Sequence, residues 1–382
     1  MAKVKFGDVV RECKGKIDQR NNPYEFYVAG DHMDTDDLSI RRRGRFSTDD
    51  VGPAFIRTFR KGQVLYGSRR TYLRKIAVAD FDGVTANTTF VLETKDEGVL
   101  RQRLLPFIMY TESFTEWSIK KSKGSTNPYV LFKDLADYEF DLPDIEKQDE
   151  LVELLWSMND TKDAYVNLIA SIDELVKSRF VEMFGDPGQQ KEKLTTLGKH
   201  INLMNGYAFK GDRFRESGIP VIKIGNVNRA DFSTGSMQFY DSEIDLERFI
   251  VRQGDLLISL TGTVGKEDFG NVCLVDGDYE SYYLNQRNAK LDVHKELHPV
   301  YLLHLLRNEY VRKKLIQAGT GVRQCHLHNR DIEYLEFFLP PLALQNRFAA
   351  FVESTDKSKF ELRKALTEMI ALYKRIIQDN LV

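Results

Sequence analysis

The sequence predicts an α+β protein with two tandem domains separated by two long antiparallel helices that form a coiled coil. A pseudo-twofold internal repeat relates the two halves. Two observations carry this prediction. The segment "DYEFDLPDIEKQDELVEL" (137–154) returns as "YLEFFLPPLALQNRFAAF" (334–351), with Glu, Phe, Leu, Pro and Gln in the same order. Both copies then run into long amphipathic stretches with matching apolar positions, so one structural unit occurs twice.

Each amphipathic stretch is expected to be a spacer helix, because its apolar residues recur by threes and fours, the heptad spacing of a coiled coil. Pro143 and Pro340 suit a first helical turn, and "FGDPG" (184–188) ends the first helix. The helices should therefore span 143–185 and 340–382, with domains at 1–142 and 186–339. The expected helix–helix contacts are Leu151, Leu154, Met158, Tyr165, Leu168, Ile172, Leu175, Phe348, Phe351, Leu362, Met369 and Leu372.

The repeat extends more weakly into the domains. "FRKGQVLYGSRR" (59–70) is similar to "VRQGDLLISLTG" (251–262), and "YVAG" (27–30) to "IKIG" (222–225). Short β-branched and aromatic runs between turn residues predict strands, and helical stretches such as 300–317 lie between them. The predicted strands are Ala77–Val78, Thr88–Leu92, Val221–Ile224, Asp255–Leu260 and Val272–Val275.

Composition favours a cytoplasmic, non-secreted protein. The three cysteines are odd in number and show no paired spacing, which suits a reducing compartment. No apolar stretch is long enough for a membrane span or a signal peptide. The net charge of -2 does not itself indicate nucleic-acid binding, so the distribution of charge decides that question.

Motifs for catalysis are missing from the sequence. Neither a GxGxxG dinucleotide fingerprint nor a phosphate-binding GxxxxGK[ST] loop occurs. "QCHLH" (324–328) has metal-capable side chains without a second ligand cluster, so an ordinary loop is the favoured interpretation and no metal is expected. "NNPY" (21–24) and "TNPY" (126–129) are interpreted as turns. We therefore expect a recognition or scaffold protein rather than an enzyme.

Basic and amide side chains are bunched in patterns that suit DNA binding, because arginine forks bind phosphate and guanine while amides bind adenine. A solvated charged surface in the first domain, and ordinary turns in the second, are the alternatives. In the first domain the candidates are Arg41, Arg42, Arg43, Arg45, Arg69, Arg70, Arg74 and Lys75. In the second they are Lys223, Asn226, Asn228, Arg229, Thr261, Thr263, Lys266, Gln286 and Arg287.

Three segments resemble the specificity subunit of type I restriction-modification enzymes. They are the doubled "LP" and Gln motif before each long helix, "LVKSRFVEMFGDP" (175–187), and "GDLLISLTGTVGK" (254–266). The N-terminal counterpart of the third segment, residues 62–75, lacks its Gly-Thr-x-Gly-Lys form. The resemblance covers nearly the whole chain. It implies two target-recognition domains, each reading one half of a split DNA site, and helices that set the gap.

The resemblance also implies partners. Two modification subunits would carry S-adenosylmethionine and methylate adenine, and motor-nuclease subunits would cleave unmethylated DNA. Trp156, Ile169, Val176 and Phe180 are the candidate docking residues for the modification subunits. The chain itself would bind double-stranded DNA, need no cofactor and have no catalytic residue. Alternatives from other classes are a coiled-coil scaffold that joins two protein-binding domains and a methyltransferase that acts alone.

Overall fold

The computed structural model describes residues 2–190, 194–228, 231–321 and 324–381, with the side chains of Asn228, Asp231 and Ile244 left undescribed. The chain divides into two compact units. Unit 1 comprises Met1–Asn167 with Arg363–Val382, and unit 2 comprises Leu168–Leu362. Both boundaries fall inside the long helices, so each unit contains part of each helix.

Unit 1 is built on two four-stranded sheets in the orders β2-β9-β6-β7 and β4-β3-β8-β5, with a β1-β10 pair beside them. Only β3 and β8 run parallel. The central strands are buried along their length because apolar residues occupy both faces of "VLYG" and "TFVLET". The strands are β1 (Ala2–Lys5), β2 (Val10–Cys13), β3 (Phe26–Val28), β4 (Gly44–Arg45), β5 (Phe55–Phe59), β6 (Val64–Gly67), β7 (Ile76–Val78), β8 (Gly83–Ala86), β9 (Thr89–Thr94) and β10 (Glu139–Leu142).

The core of unit 1 lies between the first sheet and its helices. Phe6, Tyr66, Phe107 and Phe114 share one buried cluster, with the Phe6 and Phe114 rings 5.3 Å apart. The helices are α1 (Phe6–Val9), α2 (Leu105–Met109), α3 (Glu112–Lys121), α4 (Phe132–Ala136) and the long α5 (Ile145–Phe184). The Thr111 hydroxyl caps α3 by accepting the N–H of Phe114 at 3.3 Å.

Unit 2 repeats this sheet topology strand for strand, with the orders β12-β22-β18-β20 and β16-β13-β21-β17 and a β11-β24 pair. Its parallel pair, β13 and β21, corresponds to β3 and β8. Two further pairs, β14-β15 and β19-β23, are present. The strands are β11 (Leu194–Thr196), β12 (Ile201–Asn205), β13 (Ile219–Ile222), β14 (Val227–Asn228), β15 (Asp231–Phe232), β16 (Gln238–Tyr240), β17 (Ile250–Val251), β18 (Leu256–Ser259), β19 (Thr261–Thr263), β20 (Val272–Leu274), β21 (Tyr282–Leu284), β22 (Asn288–Val293), β23 (Gln324–His326) and β24 (Glu336–Phe338).

The helical stretch predicted at 300–317 is present and is divided into two helices that meet at Asn308. The Asn308 side chain accepts the N–H of Tyr310 at 3.0 Å and so begins a new helix. Its ψ of 134° is not helical, which ends the preceding one. The helices of this unit are α6 (Pro299–Arg307), α7 (Glu309–Ala318), α8 (Asn329–Glu333) and the long α9 (Leu342–Leu381).

The glutamine of the repeated motif has the same role in both units. Gln148 accepts the N–H of Arg101 at 3.0 Å and donates to the carbonyls of Val99 and Pro143, both at 2.9 Å. Gln345 accepts the N–H of His298 at 2.8 Å and donates to the carbonyls of Glu296 and Pro340 at 3.1 and 2.8 Å.

Both amides are fully buried, at 1% and 0% exposure. Each one therefore fastens the first turn of a long helix to the loop that follows the last strand of a sheet. The motif is repeated because it forms this structural junction twice.

The long helices pack antiparallel. In unit 2, Lys359 pairs with Asp173, while Phe348 lies 5.5 Å from Phe180 and 5.4 Å from Phe184, ring centre to ring centre. Residues later in α5 therefore contact residues earlier in α9. In unit 1 the beginning of α5 shares a buried cluster with the end of α9, and Leu151, Val152, Leu155, Tyr373, Ile377 and Leu381 are its helix members.

The interface of the helices is displaced from the predicted contacts. Leu154, Leu168, Leu175 and Leu372 are 45–52% exposed. Met158, Tyr165, Ile172, Phe351, Leu362 and Met369 are half-buried, while Leu151 and Phe348 are buried. Other buried positions of α5, which were not among the predicted contacts, are Val152, Leu155, Asn159, Lys162, Val176 and Phe180.

Two of these buried residues are polar. Asn159 and Lys162 are 2% and 8% exposed, and an apolar heptad pattern excludes both from an interface. The structure compensates Lys162, whose ammonium lies 3.1 Å from the carboxylate of Asp37 in a loop of the same unit. That carboxylate is distant in sequence, so the helix pattern alone gives no sign of it.

Candidate nucleic-acid interface

Each unit brings three loops together where a central strand ends. In unit 1 the N–H of Ser68 donates to the carbonyl of Thr88 at 3.1 Å, and the N–H of Val130 donates to the carbonyl of Ser68 at 2.9 Å. In unit 2, Leu260 takes the place of Ser68. The N–H of Leu260 donates to the carbonyl of Arg287, and its carbonyl accepts the N–H of Leu327, both at 2.8 Å. We call these equivalent places the loop junctions.

The junction of unit 1 displays two arginines. Arg69 pairs antiparallel with Tyr129, and its guanidinium lies 5.9 Å from the centre of that ring. Arg70 has a left-handed φ of 50°, held by the N–H bond that it donates to the carbonyl of Pro128 at 2.6 Å. Both are exposed and form no ion pair with any residue in the described ranges. Backbone strain in an exposed basic turn is typical of a functional site.

Tyr72 is an aromatic residue interleaved in the sequence with the basic cluster of the first domain. It is 52% exposed on the 3₁₀ turn that follows Arg70, whereas the adjacent Thr71 is 3% exposed and lies with its Oγ1 3.1 Å from Oγ of Ser122. The buried threonine anchors the turn, so the tyrosine ring and the two guanidinium groups point away from the core. Such a ring offers a stacking face beside cationic groups.

The junction of unit 2 gathers five of the predicted residues. The β19-β23 ribbon pairs Thr261 with His326, Gly262 with Cys325 and Thr263 with Gln324. Exposed side chains around it are those of Thr263, Lys266, Gln286 and Arg287. Thr261 is different, because it is 7% exposed and its Oγ1 has no hydrogen-bond partner among the described residues. The prediction that Thr261 contacts DNA is therefore corrected, because Thr261 belongs to the ribbon but is buried.

The ribbon turn is fixed by a carboxylate. Asp268 accepts the N–H of Thr263 at 2.7 Å. Burial alone would raise the pKa of Asp268, but the hydrogen bonds from Thr263 outweigh it and the pKa is lowered. The charged carboxylate therefore holds the turn that presents Lys266.

Sequence reasoning left Gln324 and His326 in an ordinary loop, yet both are exposed on β23. They pair antiparallel with the "TGT" strand, which contains the predicted contacts Thr261 and Thr263. A predicted pairing with that strand would have identified both residues.

Arg41, Arg74 and Lys75 are not free cations. Arg41 lies 2.6 Å from Asp37 and 2.5 Å from Asp163 of α5. Burial alone would raise the pKa of Asp37, but the bonds from Arg41 and the charge of Lys162 outweigh it and the pKa is lowered. This ionic cluster joins a loop of unit 1 to α5, so its arginine is held by carboxylates of the same unit.

A second ionic cluster holds Arg74. Its guanidinium lies 2.6 Å from Asp36 and donates to the carbonyl of Tyr110 at 2.8 Å. Lys374 of α9 lies 3.1 Å from the same Asp36 carboxylate. The Lys75 ammonium donates to the carbonyl of Gly30 and lies 3.7 Å from Asp31. These two predicted DNA contacts are corrected to internal supports.

The remaining arginines of the first cluster lie on the second sheet or the loop before it. Arg43 lies over the ring of Phe26 at 4.0 Å, and Arg45 lies over the same ring at 4.8 Å while pairing with Glu25. Arg42 pairs with Asp34. Arg42 and Arg45 keep more than half of their side-chain surface exposed. They do not belong to the loop junction.

Asn226 is a buried structural residue. It is 4% exposed, accepts the N–H of Lys223 at 2.7 Å and donates to the carbonyl of Ser233 at 2.8 Å. His32 holds the same place in unit 1, where its Nδ1 accepts the N–H of Ala29 at 3.1 Å. The base contact predicted for Asn226 is therefore corrected to a turn-closing role, because its amide is already hydrogen-bonded within the unit.

Lys223, the residue before this turn, lies 4.1 Å from the centre of the Phe214 ring and hydrogen-bonds Gln238. Burial lowers its pKa. Asn228 contributes backbone to β14, and Arg229 lies outside the described residues.

Two of the candidate docking residues are buried. Val176 and Phe180 are 5% and 3% exposed in the core of unit 2. Ile169 is half-buried, as is Trp156, whose Nε1–H donates to the carbonyl of Arg103 at 2.9 Å. The docking prediction for Val176 and Phe180 is corrected, since the displaced helix interface places both inside.

Within the described ranges, no group of three or more His, Cys, Asp or Glu side chains could hold a metal ion. Across the same residues, no helix has the length and apolar character needed to cross a membrane. The features that stand out are therefore the two loop junctions, which share a backbone and differ in side chains.

The comparison with known proteins gives the same division into halves. The chain matches the family model of the type I restriction modification DNA specificity domain twice, over residues 3–172 and 193–372. The specificity subunit of the Escherichia coli type I restriction enzyme EcoDI is 28% identical over 181 residues, 46% of this chain and 39% of the relative. That of EcoBI, also from Escherichia coli, is 28% identical over 180 residues, 46% and 35% of the two chains. The matched part spans well under half the length of these curated relatives.

Two solved structures share the fold. The type I restriction-modification system S subunit from M. genitalium has a TM-score of 0.56 at 14% identity, covering 100% of this chain and 96% of that chain. A chain from a study of complex assembly and conformational transition of the type I R-M system has a TM-score of 0.53 at 19% identity, covering 99% and 96%. Because the family model spans most of both halves, the chain belongs to the family of type I restriction-modification DNA specificity domains.

Proposed function

We propose that this protein reads a two-part DNA sequence, with each unit contacting one half-site. The observation that carries the proposal is the pair of loop junctions, which repeat the same backbone hydrogen bonds around different exposed side chains. A repeated backbone with divergent polar contents suits two readers of different sequences. Phosphate contacts would position each reader and base contacts would supply the specificity.

The two junctions offer different chemistry to a base edge. Arg69 and Arg70 of unit 1 suit a guanine, which accepts two hydrogen bonds from a guanidinium in the major groove. In unit 2, Gln286 suits adenine, while Lys266 and Arg287 suit phosphate or guanine. A two-stranded ribbon such as β19-β23 also has dimensions that the major groove admits.

The long helices would set the gap between the half-sites. Each has 40 residues, which at about 1.5 Å per residue gives a length of about 60 Å. B-DNA rises about 3.4 Å per base pair, so this length corresponds to roughly 15 to 18 base pairs. Two half-sites on one face of a duplex are therefore within reach.

The chain would act without catalytic residues of its own, as the recognition part of a larger cytoplasmic assembly. We propose two S-adenosylmethionine-dependent adenine methyltransferase subunits as partners, together with motor-nuclease subunits. Leu154, Leu168, Leu175 and Leu372 are about half exposed along the long helices and are the best candidates for docking. They replace Val176 and Phe180, which are buried.

Selection from a random double-stranded DNA library with the full-length chain tests the proposal. We expect enrichment of a motif with two defined segments and an undefined gap of fixed length, and affinity that falls steeply with salt. Enrichment of no sequence would favour the rival, a coiled-coil scaffold that joins protein-binding domains. Calorimetric heat on adding S-adenosylmethionine to the isolated chain would favour a methyltransferase that acts alone.

A further inference from the structure

Each loop junction contains a short loop closed on itself by a pair of mutual hydrogen bonds. In unit 1 the N–H of Lys123 donates to the carbonyl of Tyr129 at 2.8 Å, and the reverse bond measures 2.9 Å. In unit 2 the N–H of Thr320 donates to the carbonyl of His326 at 3.0 Å, and the reverse bond measures 2.8 Å. We call these segments the closed loops; the first is 123–129, and the second consists of the described residues 320–321 and 324–326.

Both closed loops attach to the segment that leaves a central strand. Tyr129 pairs antiparallel with Arg69, and His326 pairs antiparallel with Thr261. The next residue is fixed in the same way, because Val130 donates to Ser68 at 2.9 Å and Leu327 donates to Leu260 at 2.8 Å. The two loops thus have equal length, equal closure and equal attachment.

Glycine at the second position explains how different sequences form the same closure. Gly124 has a φ of 89° and Gly321 a φ of 151°, both in the region that side chains rarely adopt. A Cβ on Gly321 would lie 1.8 Å from the carbonyl oxygen of Gln324, so glycine is required there. Apart from this glycine, the sequences "KGSTNPY" and "TGVRQCH" have no residue in common at equivalent positions.

Several described side chains of the closed loops are polar and exposed. Ser125, Thr126 and Asn127 of unit 1 are exposed, as is Gln324 of unit 2. No hydrogen bond from these four side chains to another described residue is present. One basic group lies beside the first loop, since the guanidinium of Arg69 lies 5.9 Å from the centre of the Tyr129 ring, whereas the ammonium of Lys123 pairs with Asp134 at 2.9 Å. Exposed amides that lack partners can hydrogen-bond to base edges, and a nearby cation can bind phosphate. The combination suits a nucleic acid.

We propose that the closed loops are the base-reading elements of the two units, and that Asn127 and Gln324 are specificity-determining residues for opposite half-sites. The inference rests on the proposed DNA-reading function and assigns it to particular loops. The amides would form paired hydrogen bonds with a base edge, adenine being the base that suits an amide. Arg69 would hold an adjacent phosphate.

The test is selection from a random DNA library with the full-length chain and three single variants. Asn127→Ala should lower the base preference by about tenfold or more at one or two positions of one half-site, leaving the other half-site unchanged. Gln324→Ala should do the same in the opposite half-site. The matched control is Asn21→Ala, an exposed asparagine of unit 1 outside the closed loop, which should preserve every preference.

A second pair of measurements separates base reading from loss of folding or charge. Asn127→Ser keeps a polar residue that suits a turn but lacks the amide, and it should relax the same positions. The salt dependence of binding should be unchanged in all these variants because none alters charge. A two-part motif for the unaltered protein with every preference retained in Asn127→Ala and Gln324→Ala would overturn this inference alone. No enrichment by the unaltered protein would overturn both this inference and the proposed function.

Discussion

Replacing Gln148 by alanine should loosen the start of α5 and the loop before α2, while leaving unit 2 unaffected. The side chain is 1% exposed and makes three hydrogen bonds, to Arg101, Val99 and Pro143. Alanine would leave one backbone donor and two backbone carbonyls without this partner, in a site too buried for water to replace it freely.

The magnitude follows from these three bonds. Each hydrogen bond contributes about 0.5–1.5 kcal/mol net, so their loss together costs roughly 3 kcal/mol. Since about 1.4 kcal/mol corresponds to a factor of ten in an equilibrium constant, the locally open state should become about a hundredfold more populated. Gln345→Ala should have the same effect on unit 2, because its three bonds are equivalent.

Amide hydrogen exchange read by mass spectrometry measures this locally. Peptides covering 97–103 and 145–150 should exchange about a hundredfold faster in Gln148→Ala, whereas those covering 294–300 and 342–347 should keep their rates. Lys147→Ala, an exposed change in the same helical turn, is the control and should leave all four unchanged. Equal acceleration in both units, or less than a fivefold change at 145–150, would refute the role given to this glutamine.

Three further predictions concern charge. Lys162→Met removes a partner of the largely buried Asp37 and should lower the stability of unit 1 to urea by about 2 kcal/mol, whereas the exposed Lys147→Met should change it by less than about 0.5 kcal/mol. Burial lowers the pKa of His304 to about 3, so the unfolded chain binds a proton that the folded chain does not bind between about pH 6.5 and 3. The free energy of unfolding should therefore fall as the pH drops through this range. His304→Leu should flatten this pH dependence in urea titrations. Arg69→Ala should keep the melting temperature yet weaken DNA binding and reduce the salt slope by about one.

The features that the sequence predicted are those with a local signature. The two 40-residue helices were found from heptad spacing and flanking prolines, and the duplicated sheets from the "GQVLYG" and "GDLLIS" segments. The burial of Lys162 on α5 escaped prediction because it depends on an ion pair with Asp37, a residue far from it in the chain. A heptad pattern of apolar residues predicts that a lysine is exposed. Here an ion pair with a residue distant in sequence allows the lysine to be buried.

The candidate site was predicted in part for the same reason. Clustering in sequence marked Arg69 and Arg74 alike, but the first is exposed and the second is held by Asp36 and the carbonyl of Tyr110. Asn226 was selected by residue type, although its amide closes a turn. The closed loops were missed because their similarity lies in backbone hydrogen bonds and one glycine, which side-chain composition does not record.

Sequencing of the methylated bases in genomic DNA from cells with and without this gene tests whether the two units read separate halves of one DNA site for a methylating assembly. We predict that loss of the gene removes adenine methylation from one two-part motif with a gap of fixed length. An unchanged methylation pattern, or loss confined to an uninterrupted motif, would contradict the account.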